Sequence, residues 1–276
     1  MKEAIREFFG YGEPGFTREP EGWFSWQHLT LVTSFMIIMT VLAVYFGRKN
    51  KNADERAKNR VLVWAAILID SFELFKIVLH CVDNADPMGW VDQLPLFLCS
   101  IQLITIPLAA FSGGRVREAS IDFVLIFGLL GAVLGTYFAG QNYTEYPVFS
   151  FPNVISGITH SISGFAALYI GIAGMSSMKK SNAPITVAIV CAFSVMAYIA
   201  NVLGGYNYMF LMRGDGTPYD IFYNLVGGNR VIYPLLVVLM LVGYIFVFDL
   251  VFNSVRKKLS AKASASTEEE KETATV

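Results

Sequence analysis

The chain has 276 residues, 54% hydrophobic and 16% charged, with a formal net charge of −1 and a mean hydropathy of +0.50. Soluble domains carry about 25% charged residues, so this composition excludes an ordinary soluble domain. The near-neutral charge, with no concentrated basic stripe, excludes a nucleic-acid surface.

Residues 1–25 mix acids, bases, Gly and Pro with no apolar core of the kind a secretory signal requires, and read as an extracytoplasmic N-terminal arm. Trp23, Trp26 and His28 fall just before the first apolar run, where aromatic residues anchor a helix at the membrane interface. Runs of about 20 apolar residues suffice to cross a bilayer. Seven are found, at 26–47, 60–82, 91–112, 119–138, 153–175, 184–204 and 231–252. The connections between them alternate in charge. The segment "RKNKNADERAKNR" is dense in Lys and Arg, residues 83–90 and 139–152 contain neither, and residues 205–229 hold only Arg213. Arg115 with Arg117, Lys179 with Lys180, and a final "RKK" supply the other basic connections. Positive charge on every second connection predicts an all-α, seven-transmembrane-helix bundle at the cytoplasmic (plasma) membrane, N-terminus outside and C-terminus inside. Residues 26–252 form the membrane domain. Residues 253–276, which pass from basic to acidic without apolar residues to bury, are expected to be a disordered cytoplasmic tail.

The second run holds the stretch "LIDSFELFKIVLHC", with Asp70, Glu73, Lys76 and His80. One charge at the centre of a membrane helix costs about 2.5–3.5 kcal/mol even on lenient insertion scales. At helical spacing Glu73, Lys76 and His80 share one stripe, which must face protein or water. The third run, read as a helix, places Asp92, Pro95, Cys99 and Gln102 on one face. The fifth puts His160 on a stripe with Asn153, Ser156, Gly157, Ser163 and Gly164. The sixth ends at Asn201, followed by "GGYNYMFLMR", which contains Asn207 and Tyr208. All these groups fall in the outer half of the membrane, which points to a shared cavity there. Structural readings stand beside this one. Glu73 and Lys76, at i,i+3, can pair to tighten the bundle; His160 can join two helices; and a membrane Cys is often an inert small hydrophobe, the reading adopted for Cys81 and Cys191. Gly128, Gly131 and Gly135 read as a helix-packing face. The three cysteines have neither zinc-site nor disulfide-framework spacing, so no metal and no cofactor is expected.

Three motifs, "LPLFLCSIQL" in the third run, "THSISGFAALY" in the fifth and "GYNYMFL" after the sixth, occur in that order. With them the chain resembles the YwaF-like integral membrane family, bacterial relatives of the animal transmembrane protein 164 group. The resemblance spans residues from about 20 to 255. It implies a lipid acyltransferase that moves acyl chains between glycerophospholipids, with Cys99 as nucleophile and His160 as its base. In the animal branch a Pro precedes the Cys and a His follows it; here Leu98 and Ser100 occupy those positions.

A free thiol with a pKa near 8.5 is mostly protonated at pH 7, so a catalytic Cys99 needs a base or a cation, supplied by His160, His80 or Lys76. Its thiolate attacks an ester carbonyl and gives an acyl-enzyme, which passes its acyl chain to a lysolipid hydroxyl or, in a hydrolase, to water. Glu73 orients a histidine. Lys76, Gln102, Asn201, Asn207 and Tyr208 are the substrate-binding candidates, and an Asn201 or Asn207 amide donating to the oxyanion is worth about 3–4 kcal/mol. Membrane lipids are the expected partners; the oligomeric state is open. The alternative is a non-enzymatic binder or transporter that uses the same cavity for a polar or zwitterionic substrate. A retinal-type receptor is excluded, because the seventh run lacks a Lys for a Schiff base.

Overall fold

A computed structural model describes residues 2–10, 15–83, 85–176 and 178–273. Among them the chain forms α-helices and short 3-10 turns, with no strand. In order they are α1 (Lys2–Phe9), α2 (Trp26–Asn50), α3 (Glu55–Asp83), α4 (Gln102–Phe111), α5 (Gly114–Tyr137), α6 (Gly140–Glu145), α7 (Phe151–Ala173), α8 (Ala183–Gly204), α9 (Asp220–Leu225) and α10 (Ile232–Thr273). Local chemistry marks the ends. Ser25 caps α2 by accepting from the His28 N–H, α7 and α8 each carry Pro within their first two positions, and they stop at the left-handed Gly174 and Gly205. Pro fits the first turn because that N–H has no helical acceptor to lose, and Gly enters the left-handed region without steric cost.

Five segments in these helices are long and apolar enough to cross a membrane: Trp26–Asn50, Gly114–Glu145, Phe151–Ala173, Ala183–Gly204 and Ile232–Lys258. The bundle is built around α5 and α7. Ala119–Gly128 of α5 is buried on every face, α7 packs against α2, α3 and α5, and α4 lies between α3 and α5. Phe123, Phe127, Tyr169 and Ile170 fill the centre, with the Tyr169 and Tyr244 hydroxyls donating to the backbone oxygens of Lys58 and Ile126. The outward faces are apolar, as at Ile37, Ile38 and Val41 of α2, Ile199 and Val202 of α8, and Leu235 and Leu239 of α10. Apolar area spread so widely over the surface requires lipid rather than water around it. The chain is an integral, multi-pass membrane protein.

One expectation is corrected. The third apolar run is not one helix. Gly89–Gln93 is a 3-10 turn, residues 94–101 are irregular, and only Gln102–Phe111 is α-helical. The cause is Pro95, whose ring drives the preceding residue out of the helical region; Leu94 accordingly adopts φ −58° and ψ 140°. Asp92 and Pro95 therefore do not share a helix face with Cys99, and the Asp92 side chain lies outside the described residues. Beyond the apolar segment, α10 continues as helix as far as Thr273. There Ala, Lys and Glu residues favour helix despite the lack of apolar surface.

The N-terminal arm is folded onto the bundle. Glu7 accepts from the Thr17 hydroxyl at 2.7 Å and from the Thr17 and Arg18 N–H groups. The Thr17 hydroxyl bond is the main reason its carboxyl is held down at about 2. Arg18 then donates to Phe149 O, Glu21 accepts from the Val148 N–H, and the Trp23 indole donates to Tyr137 O.

Candidate functional site

The break in the third run places Cys99 just before the N-terminus of α4. Phe97, Cys99, Ser100 and Ile101 offer their carbonyls to the tight bonds that open the helix, including Gln102 N–H to Cys99 O at 3.3 Å. Cys99 therefore sits just ahead of the end of α4 at which the helix dipole is positive.

His160 reaches the same place from α7. Its Nδ1 lies 2.8 Å from the Ser156 carbonyl oxygen. That oxygen can only accept, so Nδ1 carries the ring proton and Nε2 is left as the basic nitrogen. The Cys99 thiol and the His160 imidazole lie close enough for each to bear on the other's ionisation, and the Ser100 side chain neighbours the thiol. Both residues are partly buried, neither sealed off.

The close approach depends on α5. A Cβ at Gly131 would lie 3.5 Å from the Cys99 Cβ, and one at Gly135 would collide with the His160 ring. Gly128 does the same for backbone contact, since its Cβ would meet Ser163 O and Ala167 of α7. The glycines that read as packing residues thus also cut the groove in which thiol and imidazole meet. Spacing alone showed a small-residue face; that it opposes these two side chains follows from the tertiary arrangement.

The remaining candidates divide. Lys76 pairs with Glu73 at 2.5 Å and stands close enough to His160 for their charges to interact; Asp70 lies beside Glu73. His80 packs against the Gly89 turn, next to Cys81. Gln102 is fully buried, one turn beyond Cys99. The Asn201 and Asn207 amides are engaged by the chain that follows α8. Asn201 donates to Tyr208 O at 3.0 Å and accepts from the Tyr208 N–H at 2.7 Å. The Asn207 amide donates to Arg213 O and Asp215 Oδ2. Both amides thereby shape the loop from Gly205 to Tyr219, in which Met209 and Phe210 hold positive φ. Tyr208 is buried and donates to Val91 O. Phe97, two residues before Cys99, packs on Tyr208 and Phe210, and Phe210 stacks on Tyr219. Tyr219 in turn lies within electrostatic reach of Cys99. Sequence reading missed it, because nothing in the loop's composition says that the chain folds back over the site.

His28 is fully buried and purely structural in its contacts. Its Nδ1 accepts from the Phe24 N–H, its Nε2 donates to Thr136 O, and Tyr143 packs on the ring at 4.0 Å. Asp122, passed over in the sequence reading, is 3% exposed at the basic end of the bundle. It accepts from Ser176 Oγ at 2.6 Å and Asn182 Nδ2 at 2.8 Å, and so ties down the connection between α7 and α8. One acid within "SIDFVLIF" was the available signal. A groove of about 640 Å³ at the same end, bordered by Arg56, Arg60 and Arg117, does not adjoin the thiol.

The fold and the paired side chains define a class: an all-helical multi-pass membrane protein with a thiol and an imidazole joined inside the bundle. A family model described as the TMEM164 family matches residues 23–249, and the chain belongs to that family. Neither a curated protein nor a solved structure matches it.

Proposed function

We propose that this protein is a thiol-dependent acyltransferase of membrane glycerophospholipids, with Cys99 as nucleophile and His160 as general base and acid. The observation that carries this reading is the Cys99–His160 pair, with the imidazole tautomer fixed by Ser156. His160 Nε2 takes the thiol proton. The thiolate adds to a phospholipid ester carbonyl, and the tetrahedral intermediate collapses to a thioester as the lysolipid oxygen leaves with the proton from His160. A second lysolipid hydroxyl, or water, then gives its proton to His160, attacks the thioester and expels the thiolate. Lys76, paired with Glu73, supplies positive charge near the site for a phosphate head group.

In the topology that goes with this reading, α3 and the broken segment 89–111 add two crossings to the five apolar helices. The N-terminus is outside, the C-terminus inside, and the membrane is the plasma membrane. At 29 residues and about 1.5 Å per residue, α3 is long enough to cross, and the basic connections alternate as this arrangement needs.

The test is turnover in proteoliposomes containing one labelled phosphatidylcholine and an unlabelled lysolipid acceptor. Cys99→Ala and His160→Ala, each purified and folded, are expected to abolish appearance of label on the acceptor. Label transfer at the parent rate in both variants would refute the reading. The broken helix before Cys99 favours one rival, since unwound membrane segments also line transport sites. Substrate uptake that survives Cys99→Ala would select that rival.

A further inference from the structure

Gln102 presents an anomaly. It is 0% exposed, and its Nε2 has no hydrogen-bond partner, whereas its Oε1 lies 3.2 Å from Thr105 Oγ1. A buried donor left unsatisfied costs about 1–3 kcal/mol, and such groups in a folded protein call for an explanation. Side chains in a helix tilt back toward its N-terminus. From the first residue of α4, that direction leads to the preceding turn, which carries Cys99. Thr105, one turn further on, holds the amide by its oxygen and so turns the NH2 away from itself.

A second donor lies on the preceding turn. Among the described residues, the Cys99 N–H donates to no backbone carbonyl. A backbone N–H on the nucleophile without a carbonyl acceptor and a buried amide without a partner a turn away are two donors of the kind that bind a developing oxyanion.

We infer that Gln102 Nε2 and the Cys99 N–H form the oxyanion hole of this site, a role that rests on the acyl-transfer reading above. As the Cys99 sulfur bonds to the ester carbonyl carbon, the π electrons of the C=O bond move onto oxygen. That oxygen accepts hydrogen bonds from both donors. When the C=O bond re-forms, the bond from the carbonyl carbon to the glycerol oxygen breaks, and the departing oxygen takes the His160 proton. The donors gain their partner only in the tetrahedral state, so their effect falls on kcat and not on KM. Asn201 and Asn207 are unsuited to this role, because their amides hold the 205–219 loop.

The experiment uses the full chain in phospholipid nanodiscs. Gln102→Ala and the near-isosteric Gln102→Met, which lacks the donor, are compared with the parent and with Cys99→Ala. In both Gln102 variants kcat is expected to fall about 100–1,000-fold, with KM within about threefold of the parent. Alkylation of Cys99 by iodoacetamide should keep the parent rate and pH profile, since the nucleophile and its base are untouched. With a thionoester analogue, whose sulfur fits an oxyanion hole poorly, the parent's preference for the oxygen ester should collapse in the variants. If Cys99→Ala is inactive while both Gln102 variants turn over within threefold of the parent, the oxyanion role is wrong and the nucleophile stands. If Cys99→Ala is active, the underlying reading fails. Loss of Cys99 alkylation in both Gln102 variants also rejects the role, because it makes Gln102 a packing residue.

Discussion

His28 and His160 reach α5 at adjacent residues, Thr136 and Gly135, yet their environments differ in kind. His28 is sealed, with one ring nitrogen accepting from Phe24 N–H, the other donating to Thr136 O, and an aromatic face against Tyr143. His160 gives only Nδ1 to the backbone, at Ser156, and turns the rest of its ring toward a thiol across a glycine. An imidazole with both nitrogens engaged by backbone is a joint; one with a nitrogen left beside a nucleophile can move a proton.

The sharpest way to break this comparison is to truncate each ring in turn. His160→Ala should reduce acyl transfer by about 100–10,000-fold, the range for loss of a general base, with little effect on melting temperature. His28→Ala should do the reverse. It removes two buried hydrogen bonds and orphans Thr136 O, at a cost of about 1–3 kcal/mol, while the proposed turnover of the protein that remains folded should be unchanged. Equal effects of the two substitutions on turnover would erase the distinction. Thermal melts and rates from the same preparations check both halves.

A smaller effect is expected from the groove. Gly135→Ala places a methyl group where the His160 ring lies, and ring displacement of about 1 Å can cost about 100-fold in rate. Alkylation of Cys99 in this variant should also slow near neutral pH, as the base moves off the sulfur. Unaltered alkylation and turnover would show that the glycine serves packing alone.

The smallest effect concerns the arm that leads to His28. Glu7 is held at about 2, below its ordinary 4.5, chiefly by Thr17. A lowered folded value means that the latch contributes fully above pH 4.5 and is lost as pH falls toward 2. Proteolysis of the arm, or Trp fluorescence, should therefore change across that window. Glu7→Gln should weaken the latch at neutral pH and flatten the acid response, with no loss of acyl transfer at pH 7.

The apolar helices and the basic connections were legible in the sequence, because length and hydropathy determine which helices can sit in lipid. Continuity of apolar residues hid the interruption at Pro95, and with it the position of Cys99 at a helix start. Cys99 and His160 stood out as polar groups in apolar runs. Their meeting depends on Gly131 and Gly135, whose spacing looks the same in a helix interface without chemistry. Asn201 and Asn207 were visible as amides, but which partners an amide engages is settled only by the folded loop. Asp122 escaped notice because one acid near the end of a span carries no periodic signal.

Acyl transfer through this site requires an acyl thioester at Cys99. Intact-protein mass spectrometry after brief mixing with phospholipid should show the mass of one acyl chain on the parent, removable by neutral hydroxylamine and absent from Cys99→Ala. Transfer to the acceptor at an undiminished rate in Cys99→Ala, with no such adduct on the parent, would contradict it.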